Sequence, residues 1–261
     1  AITTANLTTS GTTSGAITLI AETSTIALAG ALTTGTSIVA GTAGAAEVAT
    51  SGNITLTSVT GITGAGVSAT GNASVTTGAG VNGDDTATSG GITLNVTGAG
   101  DVGLSGGNAL TIGTATVADG SGTTVSTTGT ITVTSADRVN NGTGGGDLQV
   151  SFGTASGADT NTAGTLIITT AGGAGALGEI QITSAESLVV GALSTASGAQ
   201  NINIVLTGNT ADLTWSGAST LDTDVVVLGG AGTDVVTISA NQTMRSVNGP
   251  CNQTCAWRAM K

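Results

Sequence analysis

The stretch Ser89-Gly90-Gly91-Ile92-Thr93-Leu94-Asn95-Val96-Thr97-Gly98 decides the fold, because close variants of it return along the 261-residue chain at a nearly fixed interval. It consists of a short apolar run between glycine-rich corners. The first apolar residue of each clear copy falls at Ile17, Ile54, Ile92, Ile131, Leu166 and Ile202, so the spacing between copies is nearly constant. A fixed interval of this size is the sequence signature of a repeat protein.

Each copy alternates apolar residues with Thr, Ser or Asn, which predicts a β-strand with one buried face. The Gly-Thr, Asn-Gly and Gly-Ala-Gly clusters between copies supply residues that accept the backbone conformations of tight corners. Helical spacing of apolar residues is not sustained anywhere, so the sequence predicts an all-β fold. The predicted core contains Ile17, Leu19, Ile54, Leu56, Ile92, Leu94, Ile131, Val133, Ile168, Ile202 and Ile204.

Weaker copies lie near the midpoints between the clear ones, at Ile38, Val75, Leu110, Leu148 and Ile182. Halving the interval gives about 18 to 19 residues, which is the length needed for three short strands and three turns. A β-sandwich requires no such period. We therefore expect a right-handed parallel β-helix, or β-solenoid, with about 18 to 19 residues per coil.

Charged residues make up only 7% of the chain, against about 25% in an average soluble domain. In a stack of coils, equivalent side chains lie about 4.8 Å apart, so a charge repeated at one position would repel its copies. The net charge of −11, with four basic residues in all, argues against nucleic acid and anionic lipid as partners. No apolar run reaches the roughly 18 residues of a membrane-spanning helix, so no membrane insertion is expected.

The chain divides into three parts on composition. Residues 1–16 are rich in Thr, Ser and Gly and suit a first coil, a capping arm or a strand donated to a neighbour. Residues 17–244 carry the solenoid repeats. Residues 245–261 concentrate residue types that are rare elsewhere, including the only proline, and are expected to form a cap or docking tail.

The recurring Gly-X-Ile-Thr-Leu unit with Thr/Gly-rich corners resembles the filamentous-haemagglutinin type of repeat in large bacterial exoproteins and adhesins. The resemblance covers roughly residues 15 to 240. It implies a parallel β-helix that is extracellular or displayed at the cell surface. The secretion domain of that family is not recognisable in this chain.

A second, local resemblance concerns the segment Gly229 to Val236, which is similar to the calcium-binding nonapeptide of β-rolls. Asp234 lies within it, and Asp222 and Asp224 lie just upstream. These three residues are the candidate calcium ligands, and calcium is the only cofactor considered. Calcium in such repeats is shared between successive turns, and this chain has a single copy, so an ordinary corner before a strand is the favoured reading.

Catalytic chemistry has few candidates in this sequence. The chain has no histidine and no tyrosine, which removes the commonest general base. Cys251 and Cys255 are too few to complete a zinc site, and a disulfide between them is favoured over free thiols. Paired carboxylates remain, but Asp84 and Asp85 are expected at a solvated loop tip. No catalytic residue is assigned, and we expect that the protein is not an enzyme.

The leading hypothesis is therefore a structural protein, either the rod of an adhesin or the subunit of a self-assembling extracellular filament. End-to-end self-association is expected, because open coil ends present unpaired strand edges. Glycans or proteins of a host or matrix are the other partners considered. The alternatives are a polysaccharide-active β-helix enzyme that uses acidic residues and a calcium-dependent binding module.

Overall fold

The fold is an all-β stack of parallel strands. The computed structural model describes residues 1–9, 14–41, 44–64, 68–76, 84–104, 109–118, 122–135, 149–162, 164–170, 180–184, 188–194, 202–206, 212–215, 219–229, 235–238, 242–246 and 257–259. Their regular structure is β-strand throughout, and the chain passes through the same set of parallel sheets turn after turn. The predicted all-β parallel β-solenoid is confirmed.

Short strands build the first part of the stack. They are β1 (Ile2–Thr4), β2 (Leu7–Thr8), β3 (Ile17–Ala21), β4 (Ile26–Leu28), β5 (Leu32–Thr33), β6 (Ser37–Ala40), β7 (Val48–Thr50), β8 (Ile54–Ser58), β9 (Gly61–Gly64), β10 (Ser68–Ala69), β11 (Ala73–Thr76), β12 (Thr86–Thr88), β13 (Ile92–Val96), β14 (Asp101–Leu104), β15 (Ala109–Ile112), β16 (Ala115–Val117), β17 (Val125–Thr127), β18 (Ile131–Ser135), β19 (Gln149–Phe152), β20 (Ala155–Ser156), β21 (Thr160–Thr162) and β22 (Thr165–Thr170).

The later part of the stack also contains longer strands. Its strands are β23 (Ile180–Ser184), β24 (Leu188–Ser194), β25 (Ile202–Leu206), β26 (Leu213–Trp215), β27 (Ser219–Leu228), β28 (Val236–Ile238), β29 (Gln242–Ser246) and β30 (Trp257–Ala259).

Three sheets enclose the main core, and we call the body that they form the prism. Sheet A contains β1, β4, β9 and β14, and sheet B contains β2, β5, β10, β15 and β19. Sheet C begins with β3, β8, β13, β18 and β22 and continues into the later strands. Alternation buries Ile92, Leu94 and Val96 of β13 and leaves Thr93 and Asn95 half-buried on the outer face.

Two further sheets form a thinner extension, which we call the wing. Sheet D contains β6, β11, β16 and β20, and sheet E contains β7, β12, β17 and β21. They face each other across a second small core of alanine and valine side chains, contributed by Ala49, Ala73, Val75, Ala87, Ala115 and Val117. Small side chains allow the two sheets to approach closely, so the wing is thin where the prism is wide.

The turn length differs from the sequence prediction. Ile54 pairs with Ile17 on one side and with Ile92 on the other, so one complete turn spans the full interval between clear copies rather than half of it. The midpoint residue Ile38 belongs to sheet D, pairs with Ser74 and is 56% exposed. The predicted coil length was therefore wrong. Half of the interval is only the sequence separation between strands on opposite sides of one five-stranded turn.

Most of the predicted core residues are buried. Leu19 is half-buried, and Ile202 lies in β25, paired with Ile180 and Val225. The buried members are Ile17, Ile54, Leu56, Ile92, Leu94, Ile131, Val133, Ile168 and Ile204, each at most 3% exposed.

Later turns are shorter. One runs only from Thr165 of β22 to its partner Val189, and another runs from Leu213 to its partner Val236. Between Leu213 and Val236 the described strands are β26 and β27, and β27 pairs with both β24 and β25. The turn from Leu213 therefore supplies three ladders, and β19 of sheet B contacts β23. The three-sided prism continues where the wing ends.

Residues at the start of the chain also form a three-stranded turn. β1 pairs with β4 and β2 pairs with β5 of the same chain, and β3 follows them in sheet C. Sheets D and E begin only with β6 and β7, so this first turn has no wing strands among its described residues.

Candidate functional site

The prism and the wing join at two rows of corners, which we call the waist. One row follows sheet B and contains Thr34-Gly35 and Thr70-Gly71; the other follows sheet E and contains Ser51-Gly52, Ser89-Gly90 and Thr128-Gly129. All of these hydroxyl side chains are almost fully buried. Burial of a hydroxyl is costly unless it is hydrogen-bonded, and only Thr128, the last of its row, has no such partner among the described residues.

Waist hydroxyls connect one turn to the next. The Thr34 hydroxyl donates to the carbonyl oxygen of Gly52 at 2.9 Å and accepts from the Gly71 N–H at 3.0 Å. In the other row, the Ser51 hydroxyl accepts from the Gly90 N–H at 2.7 Å. One hydroxyl thus links the two rows and two successive turns, which fixes the wing against the prism.

Glycines stack directly on one another in the waist. A Cβ placed on Gly90 would overlap the carbonyl oxygen of Gly52, and a Cβ on Gly52 would overlap that of Gly15. The opposing atoms belong to backbone, which has little freedom to move aside. These positions require glycine because adjacent turns touch there main chain to main chain.

Asparagine side chains at the outer corners form hydrogen bonds between successive turns, as the waist hydroxyls do. Asn53 Oδ1 accepts from the Gly91 N–H at 2.8 Å, and Asn72 Oδ1 accepts from the Thr114 N–H at 2.9 Å. Each amide lies on one turn and its donor on the next. These asparagine side chains therefore accept hydrogen bonds from backbone N–H groups that are not paired within the strand ladders.

Uncharged threonine rows cover the outer faces of sheets C and E. They are in register from turn to turn and comprise Thr18, Thr55, Thr93 and Thr132 on sheet C, and Thr50, Thr88, Thr127 and Thr162 on sheet E. Neighbouring turns are about 4.8 Å apart. These rows present hydroxyl and methyl groups and hold no side chain that would activate a nucleophile.

Four acidic residues lie at the entry to sheet E, and we call them the acidic column: Glu47, Asp84, Asp85 and Asp159. Asp85 Oδ1 accepts from the Glu47 N–H at 3.0 Å, and Asp84 Oδ1 accepts from the Thr123 N–H at 2.8 Å. Asp159 Oδ2 accepts from both the N–H and the hydroxyl of Thr124. The carboxylates of Asp84, Asp85 and Asp159 thus bind donors on neighbouring turns.

The prediction for Asp84 and Asp85 was right for one residue and wrong for the other. Asp84 is exposed, whereas Asp85 is fully buried, because its carboxylate turns inward to cap the preceding turn. The sequence signal that would have found this is positional. Glu47, Asp85 and Asp159 each directly precede the first residue of a sheet E strand.

The predicted calcium site stays a prediction, because the described residues do not include all of its ligands. Asp222 and Asp224 lie in β27, where Asp224 pairs with Ser246, and Asp234 lies outside the described residues. Within the described ranges, no group of three acidic or cysteine side chains is placed to hold a metal ion. Cys251 and Cys255 also lie outside the described residues, so their disulfide stays a prediction.

Comparison with known proteins gives no relative. No family model, no curated protein and no solved structure matches the chain. In the part of the chain that the structure describes, no helix has the length and apolar character needed to cross a membrane.

Proposed function

We propose that this protein is a structural β-solenoid, extracellular or at the cell surface, which serves as the rod of an adhesin or as the subunit of a self-assembling filament. The observation that carries the proposal is the register of the stack. From Ile17 to Leu166 the turns of sheet C place like residues on like residues. A chain organised in this way gains stability by adding turns.

Side-chain chemistry supports a structural role. In the waist, the outer corners and the acidic column, most of the hydroxyl, amide and carboxylate groups described above bind backbone donors of neighbouring turns. These polar residues are engaged in holding the stack together. We therefore propose that the protein is not an enzyme and needs no cofactor.

The proposed location and partners depend on the sequence resemblance and on the outer faces. Repeats of the filamentous-haemagglutinin type belong to exported proteins, and the confirmed solenoid is compatible with that resemblance. Threonine rows on sheets C and E would suit contact with neutral glycans or with proteins of a host or matrix. We propose such contacts for the faces and self-association for the ends.

Electron microscopy of the purified protein at rising concentration tests the structural proposal. We expect unbranched rods whose length increases with concentration, because a solenoid end can stack on another end. Rods of one fixed length at all concentrations would contradict the filament and leave the adhesin rod.

A chelator added to the same samples distinguishes the structural proposal from the calcium-dependent binding module. Under the structural proposal, rod length and melting temperature stay unchanged in chelator. A melting temperature that falls on chelation and recovers with added calcium would favour the binding module instead.

A further inference from the structure

The two ends of the described solenoid are alike in size, although its middle is wider. The first turn runs from Ile2 to its partner Ile26. Late turns run from Leu213 to Val236 and from Val236 to Trp257, which are stretches of similar length. The turns between the two ends are much longer, as from Ser68 to Leu110, because they include the wing. Short turns thus stand at both ends of the described solenoid.

Strand order also continues from one end to the other. Within a turn the chain visits sheet C, then sheet A, then sheet B, as β3, β4 and β5 do. The last described strand, β30, belongs to sheet C, and the first, β1, belongs to sheet A. A second copy placed after β30 would therefore begin at the position where the next strand of the same solenoid belongs.

Apolar side chains are left open at the first turn. Leu7 of β2 is 41% exposed, whereas its partner Leu32 in the next turn is fully buried. Leu19 of β3 is half-buried, whereas its partner Leu56 is fully buried. The core of the prism is incomplete at this end, and another turn laid across it would complete it.

Free strand edges accompany this open core. Among the described residues, no strand precedes β1, β2 or β3 in its sheet. The Ile17 N–H donates to the Asn53 carbonyl in the next turn, so the backbone groups of Thr18 face the opposite, free edge. Sheet edges usually carry Lys or Pro when pairing must be prevented, and residues 1–64 contain neither.

Charge disfavours contact between the C-terminal ends of two copies. Residues 245–261 carry Arg245, Arg258 and Lys261 and no acidic residue, whereas residues 1–244 carry every acidic residue of the chain and a single arginine. A basic end is attracted to the acidic body of another copy and repelled by another basic end. Head-to-tail contact avoids the repulsion between two basic ends.

We propose that β30 of one copy stacks in parallel on β3 of a second copy, so that sheet C runs from one molecule into the next. The inference rests on the proposed filament function and names its contact surfaces. Register within sheet C places Ala259 on the row of Leu166 and Ile17, and Arg258 on the row of Ala16. Arg258 of one copy would then lie above Ala16 of the next.

Charge variants at Ala16 test this register directly. Ala16 is exposed and directly precedes β3, so its replacement leaves the core intact. We expect Ala16→Lys to raise severalfold the concentration at which rods lengthen, because the proposed register sets position 16 against position 258, and Ala16→Glu to lower it. Thr130→Lys lies on the same outer row three turns away and is expected to leave assembly unchanged.

A charge exchange completes the test. Arg258→Glu alone should weaken assembly, and the double variant Ala16→Lys with Arg258→Glu should restore it. Rod length is measured by electron microscopy, and the circular dichroism spectrum checks that each variant keeps its fold. Rods that form but respond equally to Ala16→Lys, Ala16→Glu and Thr130→Lys would overturn the β30 to β3 contact alone. Wild-type protein that never forms rods would overturn the filament as well.

Discussion

At the scale of single residues, the fold depends on positions where side chains are absent or turned inward. Gly90 is buried in the waist, directly over the Gly52 carbonyl. Thr34 shows the complementary case, since its hydroxyl reaches into the waist to bond two neighbouring turns. In the next turn of this row, Ile112 occupies the position of Thr34 and Thr70, and the Gly153 N–H donates to the Ile112 carbonyl instead of to a hydroxyl. The glycine N–H at this corner is therefore satisfied by a threonine hydroxyl in some turns and by a main-chain carbonyl in another.

Replacement of Gly90 by alanine should destabilise the protein. The added Cβ meets main-chain atoms of the turn before, so the turns must separate locally, at a cost of about 1–3 kcal/mol or more. Gly103→Ala is the matched control. It has only the Thr63 methyl group near its Cβ, at 3.8 Å, so its stability should hardly change. Urea unfolding followed by circular dichroism measures both, and equal stability of the two variants would contradict the waist contact.

At the scale of elements, each strand is stabilised mainly by the strands above and below it. The row Leu19, Leu56, Leu94 and Val133 runs through four consecutive strands of sheet C. Its interior members are fully buried, whereas Leu19 at the end is half-buried. Leucines in one row thus contribute differently to the stability of the fold, according to whether a further turn covers them.

This difference gives a test within a single row. We expect Leu94→Ala to lower the free energy of unfolding by about 2–5 kcal/mol, as for a fully buried leucine. Leu19→Ala should cost clearly less, because its side chain already contacts water. Both variants are compared by denaturant unfolding at a protein concentration where rods do not form. A larger loss from Leu19→Ala would show that the first turn is more buried in solution than the described structure places it.

At the scale of the whole molecule, the solenoid has a wing on its wide turns and short turns at both described ends. Contacts in such a stack are made between neighbouring turns, so its parts are energetically semi-independent. The wide section ends with β22, and the core residues of the wing all precede this strand. The wide section should therefore fold without the later turns.

A chain shortened to residues 1–170 tests this independence. We expect it to keep a β-sheet circular dichroism spectrum and a cooperative thermal transition, with a melting temperature below that of the full chain because fewer interfaces remain. Loss of the cooperative transition would mean that the short turns are required to fold the wide ones. The matched chain of residues 1–135 removes one further turn and should melt lower still.

Sequence periodicity predicted the fold class, the alternation within strands and most of the core. Burial of one strand face requires apolar and polar residues to alternate, and this alternation is visible in the sequence. Ile92 and Leu94 could be assigned to the core on this basis alone. The low content of charged residues also followed from stacking. These features are local, or repeat at a fixed interval, and a single sequence records both.

Only the tertiary structure decided the length of a turn, the division into prism and wing, and the burial of Asp85. Ile38 and Ile54 both begin apolar runs, but Ile54 pairs with Ile17 and Ile38 with Ser74. Which apolar runs pair depends on the path of the chain around the whole turn. Corners of similar composition occur both in turns of three strands and in turns of five strands. The sequence therefore determined that the chain stacks, and the packing of one turn on the next determined what each turn contains.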